Sequence, residues 1–185
     1  MKELEQSEKR GRPDIVHFAL LEALGSPLSK EGLLQICVHT VNDFVFTVDP
    51  STRLPKNCNR FVSLIEQLFE YGRVPPQTTD NALLLLKRRT LQQLIREIKP
   101  SYVLAFSRLG KPCTLEEAVS KISGEDKPVV IVGAFPHGHF SEATVRLTND
   151  VVSIDSEMLE TWTVTSRIIY EFERAICLPK KRLNR

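Results

Sequence analysis

The stretch Val129-Val130-Ile131-Val132-Gly133-Ala134-Phe135-Pro136-His137-Gly138-His139-Phe140 decides the fold class. Its first four residues are apolar and β-branched, the composition of a strand buried on both faces. The run stops at Gly133, and a loop containing Pro136 and Gly138 follows at once. Glycine removes the side chain that blocks close approach, so such a loop brings backbone up to a ligand. In α/β folds ligands sit at the carboxyl ends of buried strands. A plain strand-to-helix turn has the same local composition, and this stretch alone does not separate the two.

Strands and helices alternate on both sides of it. Residues 151–154 read as another strand, and residues 159–176 as a long closing helix with Trp162, Ile169, Phe172 and Ile176 at apolar positions. Upstream, residues 102–106 are a short apolar strand. Residues 115–122 are a helix, with Thr114 and Glu117 at capping-box spacing. The alternation predicts an α/β fold with a mostly parallel sheet covered by helices on both faces. In the first half, residues 15–24 carry helical periodicity, opened by Pro13 and Asp14 and closed by Gly25. Residues 33–39 and 44–48 read as short strands joined through Val41-Asn42-Asp43, a small β-hairpin insertion over 33–49. Residues 61–69 are a helix, 72–79 a loop marked by Pro75-Pro76, and 81–98 a helix that Pro100 stops. With neither repeat nor linker, residues 1–185 are expected to form a single domain.

Composition narrows the function classes. Hydrophobic content of 42% and charged content of 26% are ordinary for a globular chain of 185 residues. No apolar run approaches the roughly 20 residues that span a bilayer. The charged amino terminus lacks the core of a signal peptide, so a cytoplasmic location with no membrane partner is expected. The four cysteines are scattered, and buried free thiols are the expected state. Net charge is only +2, but basic residues come in blocks at 87–89 and 180–182 and singly at Arg10, Arg12, Arg53, Lys56 and Arg60. Each alone is ordinarily a solvated surface; gathered by folding, several make a basic face. Dinucleotide, Walker A, nucleophile-elbow and zincin signatures are all missing. His137 and His139 lack a third ligand, which disfavours a metal-dependent hydrolase, and no metal is expected. Three strand ends remain as loop sources: 106–108, 133–140 and 155–161. Loops gathered at one sheet edge can wrap a small molecule. Leu159 and Trp162 are candidates for its apolar walls, or for core positions of the last helix.

Four ordered motifs carry a family resemblance. They are Gly11-Arg12-Pro13-Asp14-Ile15-Val16-His17-Phe18, Arg53-Leu54-Pro55-Lys56-Asn57-Cys58-Asn59-Arg60-Phe61, Val132-Gly133-Ala134-Phe135-Pro136-His137-Gly138 and Val152-Ser153-Ile154-Asp155. In that order the chain resembles the ribosome-biogenesis pseudouridine methyltransferases of the SPOUT (α/β-knot) class, in their archaeal form. The resemblance implies a trefoil knot in a cofactor-binding half, residues 100–178. It implies S-adenosylmethionine (S-adenosylhomocysteine as product), a homodimer, and methylation of N1 of a pseudouridine in small-subunit ribosomal RNA. Ribosomal assembly proteins are further implied partners.

By the same resemblance, Phe106, Ser107, Gly133, Gly138, His139 and Phe140 match cofactor-contacting positions. So do Ser156, Glu157, Met158, Leu159, Glu160 and Thr161. Arg12, Arg53, Lys56 and Arg60 match RNA-contacting positions. Asp14 matches the acid that orients the arginine, with a proton-accepting role as the other reading. The family ordinarily has a strand ahead of the first motif, whereas this sequence offers ten residues there. Lys56 stands where arginine is common and loses the bidentate fork. The alternative function is a non-catalytic RNA-binding assembly factor using the same basic face.

Overall fold

The computed structural model describes residues 7–77 and 82–184. The amino-terminal residues 1–6, the end of the 72–79 loop and the start of the 81–98 segment lie outside the described residues. A 3-10 turn at Ser7–Lys9 leads into α1 (Pro13–Gly25) and the short α2 (Pro27–Lys30). The hairpin strands β1 (Ile36–His39) and β2 (Phe44–Val48) follow, then α3 (Cys58–Tyr71), β3 (Arg73–Val74), β4 (Leu84–Arg88) and α4 (Leu91–Ile98). The second half runs β5 (Tyr102–Pro112), α5 (Leu115–Ser120), β6 (Pro128–Val132), α6 (Glu142–Val145), β7 (Asp150–Ser153), α7 (Thr161–Ala175) and α8 (Leu178–Leu183).

The described strands form two sheets, in the orders β1-β2-β4-β3 and β6-β5-β7. All pairings in the first are antiparallel and all in the second parallel. The expected mostly parallel sheet is therefore confined to the second half. A tight turn joins the antiparallel β1 and β2, whereas α5 and α6 lie in the crossovers of the parallel sheet. In the β1–β2 turn, Thr40 N–H donates to the Phe44 carbonyl at 2.8 Å, with Asp43 at a left-handed φ of 56°.

The expected helix over 81–98 is instead a strand and a helix. Leu84, Leu85 and Leu86 pair with β2, and Leu84 and Leu85 also pair with β3. Leu84 is buried in the amino-terminal core with Leu20, Phe46, Val48, Phe61 and Leu68. Tertiary burial overrides the helix preference of leucine there. The helix begins only after Thr90, whose hydroxyl accepts from Gln93 N–H at 3.2 Å while Gln93 Oε1 accepts from Thr90 N–H at 3.0 Å. The other expected capping box, at Thr114 and Glu117, is present.

In the second half β5 is central, and Val103, Leu104, Ala105 and Phe106 are all buried. The run at β6, expected to be buried on both faces, is only half-buried throughout. Among the described strands it forms the edge of its sheet and pairs only with β5. Leu104, Phe106 and Val152 pack with Ala118 and Ile122 around α5 and with Ile168 of α7. Ala23, Leu28, Ile169 and Leu178 make a third cluster, which joins α1 and α2 to α7 and α8. Within it, the buried Glu173 carboxylate accepts from Leu28 N–H at 2.8 Å. The cysteines are free, but they are not buried as expected: Cys37, Cys58 and Cys113 are half-buried and Cys177 is exposed. Cys177 occupies the left-handed corner between α7 and α8, where the chain turns at the surface.

Candidate functional site

The carboxyl ends of β5, β6 and β7 surround a cleft of about 260 Å³. Register explains why the β5 end opens. Phe106 pairs with Val152, and Lys111 pairs with Val152 again, so residues 107–110 are looped out of the ladder. Gly110 makes this possible, since a Cβ there would stand 2.6 Å from the Val152 backbone nitrogen and Cα. The bulge turns Ser107 and Arg108 into the cleft.

Of the residues matched to cofactor contacts, Phe106 and Ser107 line the cleft from β5, and Gly133, Gly138 and His139 line it from the loop after β6. Glu157, Met158, Leu159 and Thr161 line it from the segment after β7. Phe140, Ser156 and Glu160 do not. Phe140 stands behind the lining, edge-on to Phe135 at 5.9 Å. Arg108 and Asp155 line the cleft without having been singled out, although both belong to the loops marked by the strand ends. Phe135, Val132, Ile154 and Val164 add apolar wall. Of the two candidate apolar side chains, Leu159 faces the cleft while Trp162 packs edge-on against Phe18 of α1 at 5.3 Å.

Side-chain hydrogen bonds set the shape of this rim. Thr161 Oγ1, at the first turn of α7, donates to the Gly133 carbonyl at 2.7 Å. Ser153 Oγ donates to the Asp155 carbonyl at 2.9 Å, and Asp155 Oδ1 accepts from Glu157 N–H at 3.0 Å. At Gly133 a Cβ would come within 3.0 Å of the Phe135 ring, so the ring lies close over the backbone there. The result is a hollow with apolar walls and with Ser107, Arg108, Asp155 and Glu157 also in its lining. That mixture suits a flat heteroaromatic group joined to a polar tail. Among the described residues no group of three His, Cys, Asp or Glu side chains can hold a metal ion.

Of the residues matched to RNA contacts, Arg12 stands at the start of α1, and Lys56 follows Pro55, whose carbonyl His17 of α1 holds. Arg12 and Asp14 form a two-pronged ion pair, with Nε to Oδ1 at 2.9 Å and the terminal nitrogen to Oδ2 at 2.7 Å. The hydrogen bond from Arg12 holds the Asp14 carboxyl below its ordinary pKa and outweighs partial burial. Arg12 is raised in turn, first by that same bond and last by the charge of Glu160. Arg53, Lys56 and Arg60 are all exposed. The loop that carries Arg53 and Lys56 is anchored by its own buried residues. Leu54 and Thr52 are buried within it, and Thr52 Oγ1 donates to the Leu83 carbonyl at 3.1 Å. Asn57 caps α3 by accepting from Arg60 N–H at 3.1 Å.

His17 ties that loop to α1. Its ring is fully buried, stacks on Phe61 at 4.4 Å, and through Nε2 donates to the Pro55 carbonyl at 2.6 Å. Sequence reasoning did not single out His17, because a histidine on an apolar helix face carries no signal of its own. Of the remaining basic blocks, Arg89 pairs with Glu97 at 2.6 Å, while Lys87 and Arg88 are exposed at the end of β4.

A family model described as EMG1/NEP1 methyltransferase matches residues 1–173. The chain is 44% identical over 173 residues to the ribosomal RNA small subunit methyltransferase Nep1 of Pyrococcus furiosus, covering 94% of this chain and 75% of that protein. It is 42% identical over 169 residues to the protein of the same name from Staphylothermus marinus, covering 91% and 73%. The crystal structure of Archaeoglobus fulgidus Nep1 bound to S-adenosylhomocysteine matches the fold with a TM-score of 0.78 at 40% identity, covering 96% of this chain and 77% of that one.

Proposed function

The chain belongs to the EMG1/NEP1 methyltransferase family, and from that membership we propose that it methylates N1 of a pseudouridine in small-subunit ribosomal RNA with S-adenosylmethionine as donor. The observation that carries this reading is the meeting of two surfaces at one rim. Trp162, next to the cleft-lining Thr161, packs on Phe18 of α1, the helix that the Arg12–Asp14 fork opens. Donor and nucleobase then meet without either leaving its own surface. The Nep1 relatives named for small-subunit ribosomal RNA and the S-adenosylhomocysteine complex support the substrate and the donor.

Bound in the cleft, S-adenosylmethionine supplies a methyl group already activated by its sulfonium. Gly133, Gly138 and the Asp155–Thr161 segment would hold its polar atoms through backbone groups, with Phe106, Leu159 and Val164 against its apolar body. The protein's task is alignment, which can lower a barrier by roughly 7–11 kcal/mol. Arg12, Arg53, Lys56 and Arg60 hold RNA phosphates, and the target base is splayed from a loop because A-form duplex hides base edges. Asp14 orients Arg12. A carboxylate held below its ordinary pKa by an arginine is a weak base, so the N1 proton passes to water.

In this reading residues 1–185 form one domain with a 33–49 hairpin extension, and the 100–178 half carries a trefoil knot. The protein acts as a homodimer in the cytoplasm, where it meets ribosomal RNA and assembly proteins. No helix among the described residues is long and apolar enough to cross a membrane.

Mass mapping of small-subunit ribosomal RNA after incubation with methyl-labelled donor tests this. One labelled methyl on the N1 of a pseudouridine is the expected product. Label on another nucleotide would refute the target, and RNA binding with no donor binding would establish the assembly-factor alternative.

A further inference from the structure

The turn ahead of α1 grips the loop after β6 at three points. Lys9 Nζ donates to the His139 carbonyl at 2.8 Å. The same ammonium stands 5.1 Å from the centre of the Phe135 ring, within range of a cation–π attraction. Its Cε runs past Gly138, where a Cβ would come within 3.2 Å of it and where φ is +96°. All three loop residues line the cleft. The next residue, Arg10, donates to Asn42 Oδ1 at the hairpin tip at 2.8 Å, so one turn links the cleft loop to the amino-terminal sheet.

We propose that Lys9 is a positioning residue of the methyl-donor site, acting by fixing the far end of the 133–140 loop. The inference rests on the reading of the cleft as the donor site. Residues 133–140 contain no helix or strand, so their shape depends on where they are tied. Thr161 ties the near end through the Gly133 carbonyl, and Lys9 ties the far end through the His139 carbonyl. A loop held at both ends has already lost the freedom that ligand binding would otherwise have to remove. A charged donor to a carbonyl is stronger than a neutral one, so the cation matters as well as the reach of the side chain.

The test is calorimetric titration of S-adenosylhomocysteine into the wild-type protein and into Lys9→Ala, Lys9→Met and Lys9→Arg. RNA affinity and the thermal midpoint are measured on the same samples. Lys9→Ala and Lys9→Met are expected to weaken product binding about tenfold, with RNA affinity and midpoint unchanged. Lys9→Arg restores binding to within about twofold, because it returns both the charge and the donor. Unchanged affinity in Lys9→Ala beside a wild type that binds overturns the inference alone. A loss matched by a lower midpoint also overturns it, since the residue is then merely structural. Failure of the wild type to bind overturns the donor-site reading, and this inference with it.

Discussion

Asp14 is half of a fork whose other half, Arg12, is more than half exposed. Asn at position 14 keeps the shape and removes the charge that aims the guanidinium. Asp14→Asn is therefore expected to weaken RNA binding by about tenfold, while single-turnover methylation of the saturated complex stays within a few-fold of wild type. Normal binding with collapsed turnover would instead make Asp14 the base. The pH dependence has a definite sign. A carboxylate whose folded pKa is lowered keeps its contribution above the unfolded-state value and loses it as pH falls through the lowered one. Binding through Arg12 should hold from about pH 8 down to about pH 5 and fall only below the ordinary carboxylate range, read as RNA affinity against pH. Gly110 is the other position where one atom decides. Gly110→Ala forces a Cβ into the Val152 backbone, and a loss of about 1–3 kcal/mol in urea unfolding is expected, with weaker donor binding as the bulge is displaced.

At the scale of elements, helix starts were legible where a short polar signal sits within one turn. Thr114 with Glu117 reads directly as a cap, and Thr90 with Gln93 carries the same signature inside a segment whose leucines suggested one continuous helix. Removing either cap hydroxyl by Thr→Ala should cost about 1 kcal/mol in urea unfolding. Neither α4 nor α5 lines the cleft, so product affinity should not move. A calorimetric change in either variant would show that these helices set the cleft's shape. Strands were harder to read. The leucines of β4 carry no period-2 pattern: Leu84 is buried, and Leu85 and Leu86 on alternate faces are both half-buried. The β6 run has the composition of a central strand yet lies at an edge, since composition reports what a strand can bury and not how many neighbours it has.

Across the whole molecule the net charge is only +2, so RNA binding as proposed depends on where the cations stand and not on their number. Arg53 and Arg60 lie on a loop and a helix that His17 and Asn57 hold in place, so each presents its charge from a fixed frame. Changing either to Ala should weaken RNA binding and flatten its salt dependence by about 0.7–0.9 in log–log slope for one lost phosphate contact. An unchanged slope would move that residue off the interface. The packing of α1 on α7, through Phe18 and Trp162, brings the fork toward the cleft.

The sequence by itself determined the local signals: the glycine loop after a β-branched run, the capping boxes, the first helix with its Pro13 opening, and the hairpin. Its ordered motifs also marked which cations to watch. Those features are set within a few residues of each other, where sterics and short hydrogen bonds leave little choice. Only the tertiary structure decided the antiparallel first sheet, the edge position of β6, the bulge against Val152, the burial of His17 and the grip of Lys9 on the cleft loop. Each depends on a partner distant in sequence, and the free energy of such a contact exists only once the chain has brought both sides together.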